Sequence, residues 1–349
     1  MAVTTSLYGT LNGAPVHGFT ITNAHGTRVC LIERGATLDR WYYRGKDGNE
    51  IDVIVGHDTL EGHVERSDYQ GVTVGRYANR IAGGSFEIDG QTYDVTKNEK
   101  GKTCLHGGGE FSSAVWKGEP VSDKAVTFTY DSPDGAHGFP GAVKVAVTYT
   151  LSDADELTIR YRAVSDKKTV LNFTNHSYFN LNGIASGDIL GHTLQIFADR
   201  FTPIDADSIP TGELKDVKGT CFTFLEPKTI GQDIGADCEQ LKNGNGYDHN
   251  FCLTDWDGTL RRAAVATGDK SGIVLTVYTD QPGLQLYSGN FLNGTVIGKD
   301  GIPLTKRCAF CLETQVYPDS PHHPEWPRCV YDAGEEYRAE TVYALSLAD

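Results

Sequence analysis

Apolar and polar residues alternate along three successive segments in the middle of the chain. The apolar positions are Val126, Phe128 and Tyr130, then Val143, Val145, Val147, Tyr149 and Leu151, and then Leu157, Ile159, Tyr161 and Ala163. A period of two residues is typical of a β-strand with one buried face, because successive side chains point to opposite sides. The pattern therefore predicts neighbouring antiparallel strands that share a buried face.

The same pattern returns near the C-terminus, over residues 273–279, 284–287 and 308–316. An Asp-Gly pair between the short runs 86–88 and 91–95 predicts a tight hairpin. No stretch shows the period of a long amphipathic helix, and no strand–helix–strand rhythm appears. The sequence thus predicts an all-β protein with few short helices. We expect residues 1–349 to form a single domain of large antiparallel sheets packed face to face.

Composition and charge agree with this fold class and argue against some partners. The chain contains 40 glycines and 13 prolines, which favour many turns between short strands. A formal net charge of −15 argues against nucleic acid and anionic membranes as partners. Residues 1–6 show no signal-peptide pattern, and no apolar run is long enough to span a membrane. The eight cysteines are therefore predicted to be reduced and mostly buried, in a cytoplasmic protein.

Residues 174–181 (TNHSYFNL) combine an imidazole, two aromatic rings, two carboxamides and two aliphatic hydroxyls. A sugar pocket needs such a mixture, because the sugar ring has apolar C–H faces and its hydroxyls need directional polar partners. His176 is the one group in this run that titrates near neutral pH. A single histidine is more often structural than catalytic, so its role depends on the group with which it pairs.

Glu313 stands inside an otherwise apolar predicted strand, residues 308–316. Alternation places it on the same face as Cys311 and Gln315, and sends Cys308 to the face opposite Cys311. A buried carboxylate is costly without a partner, and burial would raise its pKa and make it a better base. The alternative is a solvent-facing glutamate on an edge strand. If both cysteines lie in the strand, they cannot share a metal or a disulfide.

Four further stretches carry similar groups. They are residues 75–81 (GRYANRI), 105–109 (LHGGG), 246–251 (GYDHNF) and 281–285 (QPGLQ). Their polar residues also have ordinary explanations: His106 can be a structural histidine, Arg80 a surface ion pair and Asp248 a turn residue. The glycines after His106 let backbone approach a ligand, but they are not a phosphate loop because no Gly-Lys-Ser/Thr follows.

Taken together and in this order, the stretches resemble the aldose 1-epimerases, also called galactose mutarotases. The matching motifs extend from residue 75 to residue 315 and include residues 287–290 (YSGN) and 312–315 (LETQ). The resemblance covers nearly the whole chain. It implies a β-supersandwich of large antiparallel sheets, and it implies interconversion of the α and β anomers of free aldoses such as galactose and glucose.

The resemblance also implies a role for each matching residue. Glu313 would be the base that takes the proton of the C1 hydroxyl, and His176 the acid that protonates the ring oxygen. Asn175, Phe179 and Asn180 would fix the local backbone and packing. The residues that would bind the sugar hydroxyls are Asn79, Arg80, His106, Tyr178, Asp248 and Gln281. The implied reaction requires no metal and no cofactor.

Three other functions fit parts of the pattern. A hexose 6-phosphate epimerase on the same fold would need extra basic residues near the sugar C6, and the motifs supply only Arg76 and Arg80. A glycoside hydrolase would normally use two carboxylates, which would require Asp248 beside Glu313. A non-catalytic sugar-binding protein would be expected to lack Glu313 or His176. We therefore expect a free aldose as ligand, no nucleic-acid or membrane partner, and a monomer or weak homodimer.

Overall fold

The computed structural model describes residues 2–65 and 68–348. Met1 and Asp349, the ends of the predicted domain, lie outside the described residues. Strands dominate these ranges, and the α-helices are short. The helices are α1 (Leu60–Glu65), α2 (Glu110–Ser113) and α3 (Glu239–Asn243). None of the described helices is long and apolar enough to cross a membrane.

The strands of the first half begin with five neighbours in sequence. These are β1 (Ala2–Leu11), β2 (Ala14–Thr22), β3 (Arg28–Ile32), β4 (Thr37–Arg44) and β5 (Glu50–Asp52). Short strands follow at β6 (Ile54–Val55), β7 (Thr73–Val74), β8 (Arg80–Ile81), β9 (Ser85–Ile88), β10 (Gln91–Asp94) and β11 (Cys104–Leu105). Longer strands follow at β12 (Lys117–Ser122), β13 (Ala125–Ser132), β14 (Val143–Leu151) and β15 (Glu156–Ser165).

In the second half, a group of short strands precedes a group of mostly longer strands. The first group is β16 (Thr169–Val170), β17 (Thr174–Asn175), β18 (Tyr178–Phe179), β19 (Thr193–Ile196), β20 (Ala198–Phe201), β21 (Lys215–Asp216) and β22 (Lys228–Thr229). The second group is β23 (Asp248–Leu253), β24 (Arg261–Thr267), β25 (Ile273–Thr279), β26 (Gly283–Tyr287), β27 (Cys311–Gln315), β28 (Val330–Tyr331) and β29 (Glu336–Leu347).

Large antiparallel sheets organise the described part of the chain. One contains β1 to β5 in sequence order, and one of nine strands has the order β12-β13-β14-β15-β29-β25-β24-β19-β22. A further five-stranded sheet has the order β21-β20-β23-β26-β27. Buried residues of all three sheets, among them Leu31, Val147 and Leu286, belong to one hydrophobic core. The predicted all-β architecture of large packed sheets is therefore confirmed.

The alternating pattern has the register that it predicts. Val147 of β14 lies opposite Phe128 of β13 on one side and Tyr161 of β15 on the other, and all three are buried. The Asp-Gly hairpin is also confirmed, since Ile88 of β9 lies opposite Gln91 of β10. Period-two burial along these strands thus builds one face of the core.

The cysteines are free and mostly buried, as predicted. The alternation argument does not extend to Cys308, however, because β27 begins only at Cys311 and Cys308 lies in the turn before it. Both thiols belong to one apolar cluster rather than to opposite faces of a strand. A pattern of alternating residues identified the strand but placed its start three residues too early.

Candidate active site

The polar face of the sheet that contains β23, β26 and β27 forms one wall of the candidate site. Asn250, Gln285 and Glu313 lie opposite one another in register across these strands. The alternating residues on the other face, such as Leu284 and Leu312, enter the hydrophobic core. The Glu313 side chain is therefore directed away from the hydrophobic core. Glu313 lies in the middle of β27, which is the last strand of this sheet.

His176 approaches Glu313 from the connection between β17 and β18. Its backbone N–H donates to the carbonyl of Val72 at 2.9 Å, and its carbonyl accepts from the N–H of Gly71 at 2.9 Å. The side-chain amide of Asn175 donates to the Gly71 carbonyl at 2.8 Å. These bonds hold the backbone on both sides of the imidazole, which confirms the local role predicted for Asn175.

His176 and Glu313 form a buried pair. Their Nε2 and Oε1 atoms are 3.6 Å apart, and the side chains are 7% and 2% exposed. The second ring nitrogen, Nδ1, lies 3.5 Å from the Cys311 sulfur. The ring stacks on Tyr178 with centroids 5.2 Å apart and an angle of 23° between the planes. The imidazole is thus fixed on one side by a thiol and on one face by a phenol ring.

The environment shifts the pKa values of both members of the pair. Burial raises the pKa of Glu313 well above its usual range, Asp248 adds to the rise and Arg80 opposes it. Burial lowers the pKa of His176 to about 4. The neutral forms are therefore favoured, and moving one proton from Glu313 to His176 creates a carboxylate and an imidazolium. That pair contains a stronger base and a stronger acid than the free side chains.

Asn79 and His106 are joined by two backbone-mediated hydrogen bonds. The N–H of His106 donates to the Asn79 carbonyl at 2.8 Å, and the N–H of Asn79 donates to Nδ1 of His106 at 3.2 Å. Burial, together with His176 and Arg80, lowers the pKa of His106 well below its usual value. The imidazole is therefore neutral, with its proton on Nε2, because Nδ1 accepts the Asn79 hydrogen.

A glycine makes the approach of His106 possible. Gly107 has a φ of +64°, and a Cβ atom there would lie 2.2 Å from the carbonyl oxygen of Gly75. The backbones of the 75–81 and 105–109 motifs are therefore packed so closely that only glycine fits at position 107. The His106 ring lies 5.1 Å from that of His176, edge to face.

Arg80 and Asp248 complete the polar wall. The Arg80 guanidinium donates to both carboxylate oxygens of Glu99, at 2.8 and 2.7 Å, and its Nη1 lies 4.0 Å from Oδ2 of Asp248. Gln285 Nε2 donates to Oδ1 of Asp248 at 2.7 Å. These partners hold the two charged side chains in place, so neither is the surface ion pair or turn residue of the alternative reading.

These groups surround a cavity of about 320 Å³, which is within the range typical of small-ligand sites. Seven of the eight residues predicted from the sequence line it: Asn79, Arg80, His106, His176, Tyr178, Asp248 and Glu313. The Tyr178 hydroxyl donates to the backbone carbonyl of Asp68 at 2.8 Å. Tyr178 therefore offers a ligand its ring more readily than its hydroxyl.

Gln281 is the predicted residue that does not line the cavity. Its side-chain amide donates to Oδ1 of Asp280 at 2.7 Å. Sequence reasoning gave no role to Gln285, which lies beside both Glu313 and Asp248. Alternation was the signal that could have identified Gln285. It precedes Tyr287 of the YSGN motif by two positions, so the two side chains lie on the same face of the strand.

Two residues that do line the cavity, Tyr69 and Phe291, came from segments with no recognisable signal. Tyr69 lies between α1 and β7, with its ring 4.6 Å from that of His106 and stacked at 5.9 Å on that of His176. Phe291 stacks on Tyr287 at the cavity wall, with centroids 6.2 Å apart, and it is 58% exposed. Aromatic rings at the wall of the cavity provide the apolar surface that the C–H face of a sugar requires.

The site also brings together three potential metal ligands. Nitrogen or oxygen atoms of His106, His176 and Glu313 lie within 4.8 Å of one another. A histidine that binds a metal uses a lone pair and usually donates its other N–H to an acceptor. His106 faces the opposite situation, because the Asn79 N–H occupies its Nδ1 lone pair and leaves the proton on Nε2. The donor set therefore does not fit a metal site.

Comparisons with known proteins agree with this geometry. The family model described as Aldose 1-epimerase matches residues 17–344. Galactose mutarotase of Bos taurus is 43% identical over 92% of this chain and 92% of its own, and that of Homo sapiens is 41% identical over 99% of each. A crystal structure of galactose 1-epimerase from Lactobacillus acidophilus has a TM-score of 0.88 at 27% identity and covers 99% of each chain. The chain therefore belongs to the aldose 1-epimerase family and is an enzyme of the epimerase class.

Proposed function

We propose that this mutarotase interconverts the α and β anomers of free aldohexoses such as galactose and glucose, with Glu313 as the base and His176 as the acid. The observation that carries the assignment is the buried His176–Glu313 pair, with 3.6 Å between Nε2 and Oε1, at the wall of a cavity of sugar size. The names of the relatives support the substrate class, and the geometry supports the division of roles.

The reaction begins with the ion-pair form of the two residues. The Glu313 carboxylate takes the proton of the C1 hydroxyl while the His176 imidazolium gives a proton to the ring oxygen. The C1–O5 bond breaks, C1 becomes an aldehyde, and the pair is left in its neutral form. Rotation about C1–C2 presents the other face of the aldehyde, and the two protons then return by the reverse path. Each positioned proton transfer contributes about 10²–10⁴-fold.

The remaining wall groups suit the binding of an uncharged sugar. His106 directs an Nε2–H donor, Arg80 supplies a cation beside Asp248, and Asp248 accepts hydrogen bonds. Tyr178 would contribute mainly its ring face, and Asn79 acts through the backbone N–H that orients His106. Gln281 remains a substrate-binding prediction from the family resemblance, whereas Gln285 would act through Asp248, to which its amide donates.

We further propose that residues 1–349 act as one domain, as a monomer or weak homodimer in the cytoplasm, without nucleic-acid or membrane partners. The net charge of −15 supports the expected lack of polyanionic partners. Analytical ultracentrifugation would measure the oligomeric state, and a larger stable assembly would contradict that part of the proposal.

Polarimetry tests the activity directly. Freshly dissolved α-D-galactose or α-D-glucose is followed by optical rotation with and without the protein. Rotation should reach the same final value faster with protein, in proportion to its concentration. An unchanged rate would overturn the proposal, and binding of the sugar without acceleration would indicate a sugar-binding protein instead. Release of sugar from a glycoside would indicate a hydrolase.

A further inference from the structure

Cys311 contacts the imidazole of His176 at the ring nitrogen that does not face Glu313. Its sulfur lies 3.5 Å from Nδ1 of His176, while Nε2 of the same ring lies 3.6 Å from Oε1 of Glu313. Cys311 and Glu313 stand two positions apart in β27, so their side chains lie on the same face of the sheet. One strand therefore supplies a partner for each nitrogen of the imidazole.

The Cys311 thiol is enclosed by apolar and aromatic groups. It is 0% exposed and belongs to a cluster that includes Val55 and Tyr178, and it lies opposite Tyr287 across the sheet. Within the part of the chain that the structure describes, the hydrogen-bonding contact of the sulfur is Nδ1 of His176. Burial also raises the pKa of the thiol well above its usual value. Cys311 therefore stays uncharged beside the ring.

The proposed proton transfer requires one particular tautomer of His176. A neutral imidazole carries its proton on one nitrogen and a lone pair on the other. Nε2 must have a free lone pair if it is to take the proton of Glu313 and pass it to the ring oxygen of the sugar. The resting proton must then lie on Nδ1. A buried N–H group needs an acceptor, and the sulfur of Cys311 is in position to accept it.

We infer that Cys311 is a positioning residue of this enzyme, whose sulfur accepts the Nδ1–H of His176 and keeps Nε2 as the nitrogen that exchanges the catalytic proton. The catalytic consequence rests on the proposed function, whereas the contact between sulfur and ring does not. Cys311 is not among the residues that line the cavity, so it acts on the sugar only through the imidazole.

An uncharged thiol suits this position because His176 must act as an acid. A carboxylate at Nδ1 would stabilise the imidazolium and raise its pKa, which would make His176 a poorer proton donor. Sulfur is a weak acceptor without charge, so it directs the Nδ1–H while burial keeps the pKa of His176 low, at about 4. The imidazolium, once formed, therefore gives its Nε2 proton readily to the ring oxygen.

Two other contacts act on the same ring. Tyr178 stacks on its face at 5.2 Å and fixes its plane, but the Tyr178 hydroxyl is bound to the Asp68 carbonyl and is not directed at Nδ1. The backbone of His176 acts to raise the pKa of its own ring, against burial. The His176 carbonyl is therefore the competing acceptor for Nδ1–H, and removal of the Cys311 sulfur separates the two.

Nitrogen-15 NMR of protein labelled at histidine reads the tautomer directly. The chain contains 11 histidines, and the signal that is lost in His176→Asn identifies the residue. In the wild-type protein at neutral pH, His176 should be neutral with its proton on Nδ1. Cys311→Ala should shift the ring towards a mixture of tautomers. Cys311→Ser should restore the Nδ1–H form, because its hydroxyl oxygen is also an acceptor.

Polarimetry measures the effect of the tautomer on the reaction. Cys311→Ala should lower kcat by about five- to tenfold, the effect of one hydrogen bond, and leave KM unchanged because the groups that line the cavity remain. Cys311→Ser should recover most of the loss. The matched control is Cys308→Ala, which removes a buried thiol from the same apolar cluster but leaves the partner of Nδ1 in place. Its kcat should stay close to that of the wild-type protein, and thermal unfolding measures the cost of each cavity.

Several results would overturn the inference. One is a wild-type His176 with its proton on Nε2, and another is an unchanged tautomer in Cys311→Ala, since the His176 carbonyl would then hold the proton. An equal loss of kcat in Cys308→Ala would assign the effect to packing. An inactive wild-type protein would overturn the proposed function and, with it, the catalytic role of Cys311. An active enzyme whose Cys311→Ala variant keeps both its kcat and its tautomer would overturn this inference alone.

Discussion

The Nε2 atom of His176 lies 3.6 Å from the Oε1 atom of Glu313, and both side chains are almost fully buried. The two residues come from different walls of the cavity, one from a connection between short strands and one from β27. Because burial disfavours a charge on either side chain, the pair favours its neutral form. A sugar that donates to the carboxylate and accepts from the imidazolium would stabilise the reactive ion-pair form.

Replacing Glu313 with glutamine should remove most of the mutarotase activity. The change keeps the shape of the side chain but removes the base, so kcat should fall by about 10²–10⁴-fold. Stability should not fall, because the folded state raises the pKa of Glu313 and its ionised form is disfavoured there. Polarimetry and thermal unfolding would measure the two effects. The control is Glu87→Gln, at the exposed position of β9, and equal activity of the two variants would refute the assignment.

His106 should act through its Nε2–H group, and two substitutions can test this. A glutamine side chain can place an N–H near the position of Nε2, whereas asparagine is too short to reach it. His106→Gln should therefore keep about tenfold more kcat/KM than His106→Asn, which corresponds to about 1.4 kcal/mol for one hydrogen bond. Equal losses in both variants would mean that the ring, and not its N–H, is what the site needs.

Alternation predicted more of this molecule than residue identity did. It gave the antiparallel sheets and placed Glu313 on the same face as Cys311 and Gln315, because a strand repeats every two residues whatever the fold. The hairpin at Asp89 came instead from the identity of the Asp-Gly pair. It could not separate Arg76 from Arg80 within one motif. Arg76 is a fully buried structural residue that donates to Ser132 Oγ at 3.1 Å and to backbone carbonyls.

The contacts between loops were beyond the sequence pattern. The bond from the Asn79 N–H to His106, and the stacking of Tyr69 on His176, join segments of irregular backbone. Such segments have no period, and their contacts depend on how the sheets bring them together. The family resemblance supplied His106 as a ligand group, but only the geometry gives its tautomer.

Acid should destabilise the protein through its buried neutral histidines. Burial lowers the pKa of His249 to about 3, while in the unfolded chain it is about 6.5. Below pH 6.5 the unfolded state therefore binds more protons, and stability is lost as the pH falls towards 3. At pH 5 this residue alone accounts for about 2 kcal/mol relative to pH 7. Denaturant unfolding of the wild-type protein and His249→Gln at both pH values should show a smaller loss for the variant.

A hexose 6-phosphate should be a poorer substrate than the free hexose. The ionisable groups of the cavity wall, apart from the histidines and tyrosines, are Asp68, Glu99, Asp248 and Glu313 against Arg80 and Lys100. Arg80 is already bound to Glu99, and Lys100 lies 4.0 Å from Asp207. An added dianion should therefore lower kcat/KM by about tenfold or more. A faster reaction with the phosphate ester, abolished in Lys100→Met, would instead support the 6-phosphate epimerase alternative.

The structure and the family motif point to different glutamines as the one that supports sugar binding: the structure points to Gln285 and the motif to Gln281. Gln285 lies opposite Glu313, and its amide donates to Asp248 at 2.7 Å, whereas the Gln281 amide is bound to Asp280. Gln285→Met would leave the buried Asp248 carboxylate without this donor, at a cost of about 1.5–3 kcal/mol, or about 10–100-fold in kcat/KM.

Neither glutamine is among the residues that line the cavity, but Gln285 donates to the lining residue Asp248, whereas Gln281 donates to Asp280, which does not line it. Gln281→Met is therefore the matched variant and should stay close to the wild-type rate. Both proteins should be compared by polarimetry over a range of galactose concentrations, with unfolding curves to confirm that they are folded. A loss confined to Gln281→Met would restore the assignment made from the family motif. A loss confined to Gln285→Met would show that position in the sheet, rather than position in the motif, decides which carboxamide serves the site.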